Sequence, residues 1–264
     1  MAERYAIIGH PVAHSKSPWI HARFAEATGE DIDYGRIEAP VDGFERTVEA
    51  FRASAGRGLN VTLPFKQAAF RYSQDRSERA RRAQAVNTLV FRERVYGDNT
   101  DGVGLVRDIE GNLGRRLAGA SVLLMGAGGA AQGVVGALLD TGIARLVIAN
   151  RTVAKAQALA ARWQPAVASA YEGLRERFDL VVNATAAGVT GEVAPLPPAV
   201  LGKETLAYDM AYGRDTPFLQ AARTAGALAV DGLGMLVEQA AESFFIWRGV
   251  RPPTRGVLER LRGG

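Results

Sequence analysis

The sequence predicts an α/β protein, because short apolar runs alternate with helical stretches along its 264 residues. The runs interpreted as strands are Tyr5–Gly9, Gly58–Leu63, Ser121–Met125, Leu146–Ala149, Leu180–Asn183 and Leu206–Met210. Helical spacing marks the segments Ser17–Thr28, Phe44–Ala53, Gln132–Asp140, Ala154–Trp163 and Phe218–Ala225. Such alternation predicts parallel sheets with right-handed crossovers.

Two turns interrupt this alternation. The polar turn Asn99–Gly102 precedes a helix expected over Val103–Leu113, and the turn Gly232–Gly234 precedes a chain expected to be helical to its end. A chain of this length can form two modest hydrophobic cores.

Composition excludes several kinds of chemistry. The chain has no cysteine, which rules out disulfides, thiolate nucleophiles and cysteine-bound zinc. Three histidines (His10, His14 and His21) cluster near the start, but no carboxylate lies at a recognised metal spacing, so no metal is expected.

The net charge of +4 is modest and suits small anionic ligands. The densest basic run, Arg76–Arg82, contains Glu78 and is interpreted as a solvated helix face, so no nucleic-acid partner is expected. No signal peptide or long apolar window is apparent, and we expect a cytoplasmic protein without membrane contact.

A glycine-rich turn follows the strand at Ser121–Met125 and leads into a helix. This strand, G-x-G-x-x-A turn and helix arrangement is typical of dinucleotide binding, since the backbone and the helix N-terminus receive the pyrophosphate. Ala131 is small enough for close helix–strand packing. The predicted cofactor-binding residues of this turn are Gly126, Ala127, Gly128, Gly129 and Ala130.

The next strand ends at Asn150, Arg151 and Thr152, with Lys155 one turn into the following helix. An acid at this place binds the ribose hydroxyls of NAD, whereas an arginine accommodates the 2′-phosphate of NADP. Asn150 and Thr152 would add hydrogen bonds. A solvated strand end is the alternative interpretation, but the chemistry favours NADP over NAD.

Lys66 is a candidate for proton chemistry. The chain contains only four lysines (Lys16, Lys66, Lys155 and Lys203) among many arginines, and arginine cannot release a proton at ordinary pH. A surface lysine at a strand end is the alternative.

Polar residues at other turns suggest a ligand site. Ser15 and Ser17 either cap the helix that contains Pro18 or bind a carboxylate beside its N-terminus. Further polar side chains at strand ends and turns suit a polyol, namely Asn60, Thr62, Asn87, Thr88, Asn99, Thr100 and Asp101.

Together these segments resemble the shikimate dehydrogenases over essentially the whole chain. The matching motifs are Ile8–Pro18, Asn60–Lys66, Ala85–Thr88, Gly97–Gly102, Gly126–Ala130, Asn150–Thr152, Tyr208–Tyr212, and Gly232–Met235 through Gln239–Ala240. The resemblance implies an N-terminal α/β catalytic domain (residues 1–102, completed by helices at 237–264) and a Rossmann-type NADP-binding domain (residues 103–236), with a cleft between them.

The resemblance also implies residue roles. Lys66 and Asp101 would be catalytic in reversible hydride transfer between NADPH and 3-dehydroshikimate, a step of chorismate and aromatic amino acid biosynthesis. Asp101 would orient Lys66 and favour its charged form. Shikimate would contact Ser15, Ser17, Thr62, Asn87, Tyr212 and Gln239 as well as the catalytic pair. Met210, Ala211 and Gly232 would line the nicotinamide end of the cofactor site.

Two other functions are alternatives to an NADP-dependent shikimate dehydrogenase. An NAD-linked quinate/shikimate dehydrogenase is disfavoured by Arg151 and Ser17, and a silent sensor of shikimate-type acids is disfavoured by the intact Lys66 and Asp101. The family resemblance suggests a monomer or a homodimer.

Overall fold

A computed structural model describes residues 2–185 and 196–263. The chain forms two compact units, one of Met1–Gly104 with Leu236–Gly264 and the other of Leu105–Met235. These limits differ by one or two residues from the domain boundaries expected from the sequence, and the roles of the domains stay predictions. Within the described residues the α-helices are α1 Ser17–Thr28, α2 Phe44–Ala53, α3 Lys66–Tyr72, α4 Glu78–Ala83, α5 Asp101–Arg107, α6 Gly129–Asp140, α7 Val153–Ala161, α8 Pro217–Thr224, α9 Leu233–Arg248 and α10 Arg255–Gly263.

The first unit contains a six-stranded mixed sheet of order β2-β1-β3-β5-β6-β4. Its strands are β1 Glu3–Gly9, β2 Ile32–Glu38, β3 Gly56–Val61, β4 Asp75–Arg76, β5 Thr88–Val90 and β6 Tyr96–Asp98. The expectation of purely parallel sheets is wrong here, because β5 runs antiparallel to both β3 and β6. The chain between β5 and β6 spans only residues 91–95, whereas a parallel crossover needs about a dozen residues.

Two helix predictions need correction. The helix expected over Val103–Leu113 is α5 followed by a π-helix at Asp108–Asn112. The C-terminal region is also not continuously helical, because residues 249–254 separate α9 from α10. Gly249 lies in the left-handed region with φ +73°, and Pro252 and Pro253 follow it. Glycine in this conformation ends a helix and proline cannot continue one.

The second unit contains a parallel six-stranded sheet, as the alternation predicts, of order β12-β11-β10-β7-β8-β9. Its strands are β7 Ser121–Met125, β8 Arg145–Ala149, β9 Val167–Ser169, β10 Leu180–Asn183, β11 Leu206–Asp209 and β12 Leu228–Asp231. Apolar side chains cover both faces, since Val122 and Leu124 of β7 join one core cluster while Leu123 and Met125 join another.

The strand order reverses between β7 and β10. Successive strands after β7 extend the sheet on one side, and β10, β11 and β12 extend it on the other. In doubly wound sheets a dinucleotide binds beyond the carboxyl ends of the strands at this point. The fold of the second unit therefore locates the region where a cofactor site is expected.

Candidate functional site

Lys66 and Asp101 lie in direct contact. Lys66 is the first residue of α3, Asp101 is the first residue of α5, and Lys66 Nζ donates to Asp101 Oδ2 at 2.6 Å. Their side chains are 14% and 6% exposed, so the pair is largely shielded from water. The other carboxylate oxygen of Asp101 accepts a hydrogen bond from Asn87 Nδ2 at 2.9 Å. The predicted catalytic pair is thus an ion pair whose acid is held from both sides.

Asn87 connects this ion pair to Gln239. Its Nδ2 approaches Thr100 Oγ1 at 2.9 Å and Gln239 Oε1 at 3.4 Å, while its Oδ1 accepts the backbone N–H of Thr100 at 2.8 Å. Gln239 belongs to α9, and its own amide donates to Leu236 O at 2.8 Å. Four predicted site residues therefore form one connected polar group: Lys66, Asp101, Asn87 and Gln239.

Ser243 is a member of this network that the sequence analysis missed. Its buried hydroxyl accepts from Asn60 Nδ2 at 2.9 Å, donates to Gln239 O at 3.1 Å and lies 2.8 Å from Thr88 Oγ1. Asn60, Thr88 and Thr100, which the sequence analysis considered as groups that suit a polyol, lie together around Ser243. The available signal was the four-residue spacing from Gln239, which places both side chains on one helix face.

Ser15 and Ser17 are both buried, with their hydroxyl oxygens 3.2 Å apart. Neither serine occupies the N-cap position of α1, because Lys16 lies there without a side-chain hydrogen bond. Instead Ser15 Oγ accepts the N–H of Ser17 at 3.2 Å, and Arg36 Nη2 donates to the carbonyl of Ser15 at 2.6 Å.

Tyr34 connects the serines to the amide network. Its hydroxyl donates to Asn60 Oδ1 at 2.7 Å. Burial raises the pKa of Tyr34 well above its usual value, and a hydrogen bond with Ser17 opposes the rise. Thr62, half-buried after β3, packs on Gly9, where an added Cβ would lie 2.4 Å from Thr62 Cγ2.

Arg79 corrects the interpretation of the basic run as a solvated face. It donates from Nε and Nη2 to the two oxygens of Asp98 at 2.7 and 3.0 Å, and from Nη1 to Glu242 Oε1 at 3.1 Å. Both carboxylates are buried, and buried carboxylates require a partner. Arg79 thereby joins the segment just before Asp101 to the helix that contains Gln239.

In the second unit the glycine turn has the geometry that its motif predicts. Gly126 has φ +105°, and a Cβ there would lie 3.0 Å from the carbonyl oxygen of Ala184. Gly128 is the N-cap of α6, with no side-chain cap and no atom within 4 Å of an added Cβ. Ala131 is fully buried in the core. The helix N-terminus is therefore approachable by an anion.

The turn at Asn150–Thr152 follows β8 at the same edge of the sheet as the glycine turn that follows β7, because Met125 pairs with Ala149. Asn150 Nδ2 donates to Thr152 O at 2.9 Å, which shapes the turn. Side chains exposed to solvent are Arg151, Thr152 and Lys155. Burial raises the pKa of Tyr171, and the charge of Arg151 opposes that shift.

The turns after β11 and β12 also lie at this edge, since Asn183 pairs with Asp209 and Asp209 with Asp231. Met210, Ala211 and Tyr212 are half-buried there. Gly232 donates its N–H to Ala211 O at 2.9 Å, and a Cβ on Gly232 would lie only 2.4 Å from Met210 O. A side chain at this position would displace the loop.

This arrangement defines the fold of the second unit as Rossmann-type, the class of domain that commonly binds dinucleotides. Within the described ranges, no three His, Asp or Glu side chains group together as a metal site requires. None of the helices in the described part of the chain is long and apolar enough to span a membrane.

Comparison with known proteins identifies the family. Residues 7–89 match the shikimate dehydrogenase substrate binding domain, residues 108–233 match the shikimate/quinate 5-dehydrogenase family, and residues 232–262 match the shikimate 5′-dehydrogenase C-terminal domain. The chain is 56% identical to shikimate dehydrogenase (NADP(+)) of Chromobacterium violaceum, over 99% of this chain and 98% of that one. The chain belongs to the shikimate dehydrogenase family.

Two solved structures are similar in fold to the whole chain. The Ael1 enzyme from Pseudomonas putida is 51% identical with a TM-score of 0.93, over 98% of both chains. Shikimate 5-dehydrogenase from Thermus thermophilus, solved with NADP(H) and shikimate, is 37% identical with a TM-score of 0.89, again over 98% of both chains.

Proposed function

We propose that this chain is an NADP-dependent shikimate dehydrogenase that reversibly reduces 3-dehydroshikimate to shikimate, in chorismate and aromatic amino acid biosynthesis. The observation that carries the proposal is the shielded contact between Lys66 and Asp101, in a chain that belongs to this family. A cytoplasmic location and a monomeric or homodimeric state stay predictions.

The cofactor supplies the hydride, and the protein supplies orientation and electrostatics. As the ring carbonyl is reduced, negative charge develops on its oxygen. Lys66 Nζ, which is hydrogen-bonded to Asp101, stabilises this charge and donates the proton. In the reverse direction the neutral amine of Lys66, the form left by this proton transfer, receives the proton from the shikimate hydroxyl. Asp101 keeps Lys66 oriented, since its second oxygen is bound by Asn87.

The remaining first-unit residues bind the substrate. Ser15 and Ser17 present two buried hydroxyl groups, which suit a carboxylate. Asn87 and Gln239 border the ion pair and provide amide groups for ring hydroxyls. Thr62 of the first unit and Tyr212 of the second unit are the further substrate contacts that the family resemblance implies.

The second unit binds NADP(H). The turn Gly126–Ala130 receives the pyrophosphate at the N-terminus of α6. Arg151, with Asn150, Thr152 and Lys155, receives the 2′-phosphate, because exposed cationic and polar groups follow the neighbouring strand. Met210, Ala211 and Gly232 line the nicotinamide end.

The first test is nicotinamide absorbance with purified protein, crossing shikimate and quinate against NADP and NAD. We expect rapid NADPH formation with shikimate and NADP. Activity confined to NAD or quinate would identify the chain as an NAD-linked quinate/shikimate dehydrogenase. Shikimate binding without turnover would identify it as a sensor of shikimate-type acids.

Lys66→Ala tests the catalytic role. Preorganised charge of this kind contributes roughly 3–4 kcal/mol, so kcat should fall on the order of a hundred- to a thousandfold while shikimate binding changes little. Lys203→Ala is the matched control, because Lys203 is exposed in the second unit. A higher KM at unchanged kcat would make Lys66 a binding residue instead.

A further inference from the structure

Asp209 ties together both ends of the loop that contains Met210, Ala211 and Tyr212. It is the last residue of β11 and is fully buried. Its Oδ1 accepts the N–H of Ala211 at 3.0 Å, and its Oδ2 accepts the hydroxyl of Thr216 at 2.6 Å. Thr216 also caps α8 by accepting the N–H of Leu219 at 3.3 Å. One carboxylate therefore fixes the start and the end of this loop.

A second carboxylate holds the middle of the same loop. Asp231 is the register partner of Asp209 on β12. Its Oδ2 accepts the N–H of Gly213 at 3.2 Å, and its Oδ1 accepts the N–H of Leu233 at 3.3 Å. Gly232, between these contacts, donates to Ala211 O at 2.9 Å. The loop backbone is thus bound at successive points by acids on neighbouring strands.

Two acids side by side are unfavourable for stability. Burial raises the pKa of Asp209 and the charge of Asp231 raises it further, whereas hydrogen bonds from Thr216, Ala211 and Asn183 oppose the rise. An apolar residue at the end of β11 would avoid this penalty. It would also leave the loop without these acceptors.

The sheet order indicates which half of the cofactor this loop meets. Arg151 follows β8, on one side of β7, while the loop follows β11, on the other side. A dinucleotide with its pyrophosphate at the turn after β7 and its adenosine towards β8 extends its second nucleotide towards β10 and β11.

We propose that Asp209, assisted by Asp231, is a positioning residue that fixes the loop at residues 210–216 for the nicotinamide half of NADP(H). The inference rests on the proposed function, because it assumes that NADP(H) is the cofactor. It predicts a selective defect in which the nicotinamide end binds poorly while the adenosine end binds normally.

The test measures binding without turnover. NADPH binding is followed by fluorescence, and binding of 2′-phosphoadenosine diphosphoribose, which lacks nicotinamide, by calorimetry. Asp209→Asn keeps the side-chain size but replaces one of two acceptor oxygens. It should weaken NADPH binding by about tenfold or more and change fragment binding by less than about twofold. Asp215→Asn is the matched control, an exposed acid of the same loop, and should change neither.

Equal losses for both ligands, or no loss for either, would overturn the inference. If Asp209→Asn does not fold, Thr216→Val carries the same expectation and Thr216→Ser should restore NADPH binding. Wild-type protein that binds both ligands but does not oxidise shikimate would reject the proposed function alone, and the variants would still decide the inference. Wild-type protein that fails to bind NADPH would reject both.

Discussion

His21 makes the stability of the first unit dependent on pH. It lies on α1, fully buried, with its ring stacked on Tyr34 at a centroid distance of 4.1 Å. Neither ring nitrogen has a hydrogen-bond partner among the described residues. Burial lowers the pKa of His21 from 6.5 to about 3, and the nearby amide of Asn60 opposes this shift. The folded protein therefore holds a neutral imidazole that the unfolded chain protonates readily.

The direction of the pH effect follows from the linkage between proton binding at His21 and folding. Below pH 6.5 the unfolded chain binds a proton that the folded protein excludes, so stability is greatest above this pH and falls until about pH 3. Each pH unit in this window removes about 1.4 kcal/mol from the free energy of unfolding. Acidification from about pH 7.5 to about pH 5 should therefore remove about 2 kcal/mol through His21 alone.

The assay compares urea unfolding of the wild type and of His21→Phe at these two pH values, followed by tryptophan fluorescence. Phenylalanine keeps an aromatic ring against Tyr34 but does not titrate. Because every other titrating group is common to both proteins, the difference between their pH losses isolates His21. The wild type should lose about 2 kcal/mol more than the variant. Equal losses in the two proteins would refute the reasoning.

Three further changes have definite expected results. Arg151→Ala should raise the KM for NADP about ten- to a hundredfold and leave that for NAD unchanged in steady-state assays, since it removes a charge-assisted contact. Gly234→Ala places a Cβ 1.9 Å from Asp108 Oδ1 and should lower the free energy of unfolding, measured by thermal denaturation, by roughly 1–3 kcal/mol. Gly111→Ala is the control, because no atom lies within 4 Å of a Cβ added there, and it should not lower this free energy. Ser243→Ala removes the hydroxyl that bridges the buried amide network, and calorimetry should show shikimate binding weakened roughly fivefold or more, with NADPH binding unchanged.

Features fixed by local geometry were predictable from the sequence. Gly126 adopts a positive φ beside the Ala184 carbonyl, a conformation that favours glycine, so the glycine motif predicted the tight turn. The central strands were also recognisable, because β7 and β10 are buried on both faces and consist of apolar runs. Burial and backbone strain restrict the residue type at each such position independently of the rest of the chain.

Edge strands and short hairpins were not predictable in this way. The edge strands β2, β9 and β12 are partly exposed, so their composition lacks a continuous apolar run. Strands β5 and β6 each have only three residues, too few to show a period. The alternation of strands and helices therefore indicated a parallel sheet where the first unit contains a mixed one.

The least predictable part of the site is α9, where polar side chains are buried together with the apolar ones. Gln239, Glu242 and Ser243 are spaced by three and four residues, which normally marks a solvent-facing stripe. Here Glu242 and Ser243 are buried, and the exposed position of the helix is Phe245. Their partners are distant along the chain, since Asn60 is 183 residues from Ser243 and Arg79 is 163 residues from Glu242. No local window contains both members of either pair. Polar groups on this face of α9 remain stable in the interior because β3, β5 and α4 of the first unit supply their hydrogen-bond partners. The candidate site lies in the same unit, where Lys66 and Asp101 begin helices and Asn87 directly precedes β5.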